Sequence, residues 1–207
     1  MSQPETTTAG RTHAKSRTHR LTVTAMLSTV ALVLMTLDFS VPFIPAFVKM
    51  DVSELPALLA AFSLGPWYGV AVCFIKNALH LLQTSTGGVG EAANFMMGAV
   101  FVGTAGIVYQ HFGRHKSRMG ALVGALIGAL AMALVSVPLN YYFTYPVYAK
   151  FMPIDVILSM YQAIRPSVNG LLECLITFNM PFTFLKGVLT VALCFLIYKP
   201  LSPLLHK

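Results

Sequence analysis

Five polar side chains, Asn94, Asn140, Asn179, Thr183 and Lys186, lie inside long apolar stretches of the sequence. Burying a charged side chain in a membrane costs roughly 2.5–3.5 kcal/mol, so a lysine in such a stretch marks a binding site. Lys186 lies midway along its stretch, which favours a buried partner or a ligand over extension of the ammonium group to the surface. Thr183 and Asn179 precede it by one and two turns on the same helical face. Amides with a single cation suit a neutral heterocycle with carbonyl and ring-nitrogen acceptors, bound in a mostly apolar pocket.

Lys76, His80 and Glu91 form a second polar group, whose role the sequence leaves open. Lys76 and His80 are four residues apart on one helical face, near the predicted outer end of a helix, where both side chains can reach the membrane surface. Glu91 begins a later apolar run, and a carboxylate stabilises a helix N-terminus. The alternative is that the three residues serve a membrane enzyme or scaffold that acts alone.

The sequence contains none of the common enzyme motifs. It has no Gly-x-x-x-x-Gly-Lys-Ser/Thr loop for ATP, no His-Glu-x-x-His metal motif and no Gly-x-Ser-x-Gly nucleophile motif. Its three cysteines, Cys73, Cys174 and Cys194, lie far apart in apolar stretches without the spacing of metal ligands. We therefore predict no catalytic residue, no metal site and no cofactor.

Composition indicates that most of the chain is surrounded by lipid. Of its 207 residues, 56% are apolar and 10% are charged, whereas an average soluble domain has about 25% charged residues. The excess of 14 Lys and Arg over 7 Asp and Glu does not indicate nucleic-acid binding. Much of it lies beside apolar runs, in residues 1–20 and 111–118, where basic residues mark the cytoplasmic side of a membrane. We predict an all-α integral membrane protein that crosses the cell membrane several times.

The dipeptide Gly65-Pro66 decides the number of crossings. One helix over 55–82 gives five spans and leaves the basic loop 111–118 outside, whereas a turn at Gly-Pro, a strong helix breaker, gives six spans and both termini in the cytoplasm. The predicted spans are 21–41, 52–64, 66–82, 91–109, 119–142 and 170–198. The chain then divides into a basic tail, 1–20, and one six-helix transmembrane domain, 21–207.

The predicted topology places three loops on the outer side, where they can surround the mouth of a cavity: 42–53, 83–90 and 143–168. Small residues on the first span, Ala25, Ser28 and Thr29, allow close approach of a partner helix. A second run of small residues, from Gly120 to Gly128, favours internal packing against the fourth span. Because the chain has no visible energy source, we expect it to bind a ligand and to need a partner.

Several motifs together closely resemble those of riboflavin-specific S components, the substrate-binding membrane subunits of energy-coupling factor vitamin transporters. The resemblance covers about residues 21–200. Gly65-Pro66-x-x-Gly69 alone is shared by S components in general, whereas the whole series is specific to the riboflavin branch. The other motifs are Asp51-Val-Ser-Glu54-Leu-Pro56, Lys76-Asn77-x-x-His80, Ser85-Thr-Gly-Gly-Val-Gly-Glu91-x-Ala-Asn94, Leu139-Asn140-Tyr-Tyr142 and Met180-Pro-Phe182-x-x-x-Lys186-Gly187.

The resemblance implies an S-component-like bundle that binds riboflavin from outside and delivers it inward with a transmembrane coupling protein and two cytoplasmic ATPase subunits. Contacts to the flavin ring fall on Asn140, Lys186 and the position of Thr183, where the family pattern usually has Asn. Either Asn179 replaces that Asn from one turn earlier, or the contact is lost. Glu54 and Leu55 belong to the lid of the site. The alternative within the family is an S component for another vitamin or small heterocycle.

Overall fold

The computed structural model describes residues 8–42, 44–45, 48–84, 87–111 and 117–205. Within these ranges two short antiparallel strands, β1 (Phe39–Ser40) and β2 (Lys49–Met50), pair Phe39 with Met50. The remaining elements are helical: α1 Thr8–Thr36, α2 Glu54–Ser63, α3 Pro66–His80, α4 Val89–His111, α5 Arg118–Leu139, α6 Tyr145–Tyr148, α7 Ile154–Gln162, α8 Leu171–Cys174 and α9 Met180–Leu205.

Four helical stretches in the described residues are long and apolar enough to cross a membrane: Arg17–Thr36, Val89–His111, Arg118–Tyr148 and Leu171–Ile197. The other two predicted spans correspond to α2 and α3, which have 10 and 15 residues. Helix α1 begins at Thr8, so part of the predicted basic tail is helical. The first seven residues, the middle of the basic loop, 112–116, and the last two residues lie outside the described part of the chain.

The break predicted at Gly65-Pro66 is confirmed. Helix α2 ends at Ser63, and Gly65 has a φ of 122°. A side chain with a Cβ atom rarely adopts this conformation, which glycine tolerates. Pro66 then begins α3, where the missing N–H of proline removes no helical hydrogen bond.

Two π-helical turns interrupt the last two long helices, one at Asn140–Thr144 and one at Leu175–Asn179. Each ends two residues before a proline, Pro146 or Pro181. Because proline has no N–H to give to the preceding turn, the wider turn is where the helix accommodates it. The irregular backbone of the last helix lies just before Pro181, whereas Pro138 lies within regular helix and the irregular backbone follows it.

Small residues allow α4 and α5 to approach closely, as their pattern predicts. A Cβ atom added at Gly128 would lie 2.5 Å from the carbonyl oxygen of Phe101, and one at Gly124 would lie 2.8 Å from that of Ala105. Both distances are far below van der Waals contact. The run of glycines therefore serves the internal packing of α5 against α4.

We expect Gly128→Ala to destabilise the protein by about 1–3 kcal/mol, because the added methyl group forces the two helices apart. Gly103→Ala is the matched control, since its new Cβ atom would meet only Val70 Cγ2 at 3.6 Å. The alanine there is expected to be neutral or to stabilise α4 by up to about 1 kcal/mol. Thermal unfolding of both variants in detergent tests the difference, and equal effects would contradict the close approach.

Candidate ligand-binding site

A cavity of about 560 Å³ lies between the loop that precedes α2 and the helices that follow it. This volume is within the range of small-molecule pockets, about 300–1,000 Å³. The structure brings six of the seven predicted ligand-contacting residues to its wall: Glu54, Asn94, Asn140, Asn179, Thr183 and Lys186. Leu55 is buried in the hydrophobic core instead.

Lys186 has the buried partners that its position predicts. Its side chain is 12% exposed, and its Nζ atom donates a hydrogen bond to Asp51 Oδ2 at 2.8 Å. Glu54 Oε2 and Asn94 Oδ1 each lie 3.4 Å from the same Nζ atom. The lysine on α9 therefore joins the loop before α2 to α4 at the wall of the cavity.

Lys76 is fully buried, and the interpretation that it extends to the membrane surface is wrong. Its Nζ atom lies 2.9 Å from Glu54 Oε1 and donates a hydrogen bond to the Ser53 hydroxyl. The Ser53 hydroxyl and backbone N–H both donate to Asp51 Oδ1. Asp51, Glu54, Lys76 and Lys186 thus form one ion-pair cluster, in which two negative and two positive charges cancel.

Asp51 stays ionised within this cluster. Burial by itself raises the pKa of the carboxyl group, but the charges of Lys186 and Lys76 and the hydrogen bonds from Lys186 and Ser53 outweigh it. The pKa of Asp51 is therefore held well below its usual range. The sequence placed this residue only in the loop 42–53, and the structure makes it the main partner of Lys186.

Two amides hold each other beside the cluster. Asn94 Nδ2 donates to Asn77 Oδ1 at 3.3 Å, and Asn77 Nδ2 donates to the Cys73 carbonyl oxygen at 2.8 Å. These bonds orient the Asn94 amide so that its oxygen faces Lys186. Asn94 therefore combines a place on the cavity wall with a fixed orientation.

His80 and Glu91 form a pair at another part of the wall. His80 Nδ1 lies 3.1 Å from Glu91 Oε1, and the Thr84 hydroxyl donates to Glu91 Oε2 at 2.9 Å. The Gly88 N–H donates to the Thr84 hydroxyl at 3.0 Å. Glu91 lies in the first turn of α4, as predicted. Its contacts with Thr84 and His80 also join the loop at Gly88 to the end of α3. The residues considered for a membrane enzyme or scaffold are thus divided between two separate ion pairs, with Lys76 in one and His80 and Glu91 in the other.

Two tyrosines that no sequence pattern singled out, Tyr145 and Tyr161, are hydrogen-bonded to Asn179. Tyr161 donates to Asn179 Oδ1 at 2.7 Å, Asn179 Nδ2 donates to the Tyr145 hydroxyl at 3.2 Å, and the two hydroxyl oxygens are 2.5 Å apart. All three side chains are buried. A buried tyrosine needs a hydrogen-bond partner, which is the only signal that could have linked these residues before the fold was known.

The residues predicted to form the partner surface on α1 do not all lie on its exposed face. Ala25 and Thr29 are exposed, whereas Ser28 is buried and its hydroxyl donates to the Thr24 carbonyl oxygen at 2.8 Å. Ser28 therefore faces the bundle. The exposed face of α1 also carries the large apolar residues Met26 and Val30.

Comparison with known proteins agrees with this architecture. The sequence model of the family described as "ECF transporter, substrate-specific component" matches residues 19–198. The chain is 32% identical over 188 residues to the riboflavin transporter RibU of Staphylococcus aureus, which covers 91% of this chain and 93% of that protein. It is 31% identical over 191 residues to the riboflavin transporter FmnP of Bacillus subtilis, covering 91% and 94%. A solved structure of the S component of a bacterial ECF transporter superposes with a TM-score of 0.72 at 30% identity, covering 92% of this chain and 99% of the other.

Proposed function

Because the chain belongs to the family of substrate-specific components of ECF transporters, we propose that it captures riboflavin as the binding subunit of such a transporter. Its relatives in Staphylococcus aureus and Bacillus subtilis are both named riboflavin transporters. The family supplies substrate-binding components and not enzymes. ATP hydrolysis then belongs to two cytoplasmic partner subunits, joined to this chain through a transmembrane coupling protein.

The observation that carries the proposal is a cavity whose wall combines several amides with an ion-pair cluster of zero net charge. Riboflavin is uncharged, and its ring system presents carbonyl oxygens, ring nitrogens and one ring N–H. Asn94, Asn140, Asn179 and Thr183 offer matching donors and acceptors on the wall. A neutral ligand leaves the ion-pair cluster balanced, whereas a charged ligand would need a further buried counter-charge.

We assign the ring contacts to Asn140, Lys186 and Thr183, and the lid to the segment Asp51–Leu55. The threonine hydroxyl reaches less far than an asparagine amide at the same position. Asn179, one turn earlier on the same side of the helix, lines the cavity and supplies an amide there. Glu54 serves the site by holding the lid to both lysines, and Leu55 anchors the lid in the core.

The proposed topology has six crossings of the cell membrane and both termini in the cytoplasm. Four of them are the long apolar stretches, and the short helices α2 and α3 form the other two around Gly65. The exposed face of α1 around Ala25 and Thr29 then faces the coupling protein, since small residues allow helices to approach closely. The lid and the cavity mouth lie on the outer side.

The test is the absorption spectrum of the protein, purified in detergent from cells grown with riboflavin. A bound flavin gives a yellow protein with the two long-wavelength flavin bands, and aromatic side chains stacked on the ring quench its fluorescence. A colourless protein that also fails to quench added riboflavin would overturn the assignment of the ligand. A screen of other vitamins and small heterocycles then distinguishes a protein that binds another ligand from one that lost its binding activity during purification.

A further inference from the structure

We propose that Tyr161, which lies outside the long helices, positions the Asn179 amide for the ligand and so raises the affinity of the site. The inference rests on the proposed function, because the ligand used to test it is riboflavin. Tyr161 lies on the connecting helix α7, and its hydroxyl acts through Asn179. Tyr161 is therefore a positioning residue.

The three polar groups form a closed ring of hydrogen bonds. Asn179 Nδ2 donates to the Tyr145 hydroxyl, Tyr161 donates to Asn179 Oδ1, and the Tyr145 hydroxyl completes the ring with Tyr161 across 2.5 Å. Each hydroxyl group both donates and accepts within this ring. Such mutually polarising bonds strengthen one another in a buried site.

The ring uses only half of the hydrogen-bonding capacity of the Asn179 amide. A primary amide has two N–H donors and two oxygen lone pairs, and the tyrosines engage one of each. One donor and one acceptor therefore remain, in a plane that the ring fixes. Because Asn179 and Tyr145 both line the cavity, these remaining groups are available to a heterocycle with carbonyl and N–H groups.

The location of Asn179 explains why it needs such support. It is the last residue of a π-helical turn, where the backbone departs from regular helix. Tyr161 has no exposed surface, and its ring packs against Phe178 with centroids 5.4 Å apart. The buried face of α7, which also contains Ile157, is thereby fixed against the turn that carries Asn179.

The ring holds the plane of the Asn179 amide in place, and either sense of the amide satisfies it, because the two hydroxyl groups can exchange their donor and acceptor roles. Preorganisation of this kind raises affinity by removing the cost of ordering the side chain on binding. Through Tyr161, the connection between the fifth and sixth predicted spans then contributes to ligand affinity without itself contacting the ligand.

The test is a double-mutant cycle on the riboflavin dissociation constant, measured by fluorescence quenching. We expect Tyr161→Phe, which keeps the ring packing, to weaken binding about tenfold, or 1.4 kcal/mol. Asn179→Leu weakens binding as well and leaves the two tyrosine hydroxyls paired with each other. In the Asn179→Leu background, Tyr161→Phe is expected to have no further effect, because it acts only through the amide. The absorption bands of bound riboflavin shift in the same direction in both single variants.

Tyr142→Phe is the matched control, since this tyrosine follows Asn140 by two residues and its side chain is 78% exposed. Wild-type affinity and an unchanged spectrum in Tyr161→Phe would overturn the proposal, and so would equal losses in both backgrounds. If Tyr161→Phe does not fold, Tyr145→Phe breaks the same ring, and only a loss of affinity that disappears in the Asn179→Leu background supports the proposal, because Tyr145 itself lines the cavity. Failure of the wild-type protein to bind riboflavin instead overturns the proposed function.

Discussion

Methionine in place of Lys186 is expected to lower the affinity for riboflavin more than tenfold. The change removes a buried hydrogen bond from a charged donor, worth about 1.5–3 kcal/mol. It also leaves Asp51 and Glu54 with Lys76 as the only cation of the cluster. Titration of riboflavin into the purified variant measures the loss. Unchanged affinity would exclude Lys186 from the site.

A second variant separates the contact with the ligand from the support of the lid. Lys186→Met combined with Asp51→Asn restores a balanced cluster of Glu54 and Lys76. We expect the double variant to recover thermal stability but not riboflavin affinity. Recovery of both would show that Lys186 acts only by holding the lid. Lys150→Met, on the exposed connection, is the control for the loss of a lysine.

The second large effect is expected at Lys76. Removing one partner of a buried ion pair costs about 3–5 kcal/mol, because the other charge is left without compensation. Lys76 is fully buried, so Lys76→Met leaves Asp51 and Glu54 to share the single positive charge of Lys186, and one buried negative charge stays uncompensated. Thermal unfolding in detergent, in the absence of riboflavin, measures the change.

The double variant Glu54→Gln with Lys76→Met leaves Asp51 and Lys186 as a neutral pair and is expected to regain most of the lost stability. Lys49→Met breaks the exposed pair between Lys49 and Asp38 and serves as the control. Exposed pairs contribute about 0–1 kcal/mol. If Lys76→Met lowers the stability no more than this control does, the buried ion pair contributes little to the stability of the protein.

Features set by neighbouring residues could be predicted from the sequence. The break at Gly65-Pro66 follows from the conformations of two residues, and the close approach of α4 and α5 follows from glycines four residues apart. The position of Lys186 within an apolar run was enough to predict a buried partner. In each case the signal lies within one helix or one turn.

The identity of the partners could not be predicted in the same way. Asp51 and Lys186 are 135 residues apart, so their contact depends on how the loop before α2 packs against α9. Lys76 is near a helix end, which favours extension to the surface, but α2 packs against α3 there and supplies Glu54 and Ser53 as partners. Ser28 was assigned to the partner surface because small residues are ambiguous between internal and external packing.

The tyrosines of the hydrogen-bonded ring were missed for a related reason. Tyr145 and Tyr161 lie in or beside the connection predicted at 143–168, where aromatic residues commonly face the membrane surface. Only the three-dimensional arrangement shows that both reach Asn179. The family resemblance pointed to Thr183 and Asn179, but it carried no information on which residues hold the Asn179 amide in place.

The neutrality of the ion-pair cluster also has an electrical consequence. Moving one elementary charge through a potential of 100 mV changes its free energy by about 2.3 kcal/mol. Two carboxylates and two ammonium groups that are translated together do no net electrical work, because their charges sum to zero. In the membrane topology proposed above, the membrane potential would then neither drive nor oppose translation of these four residues.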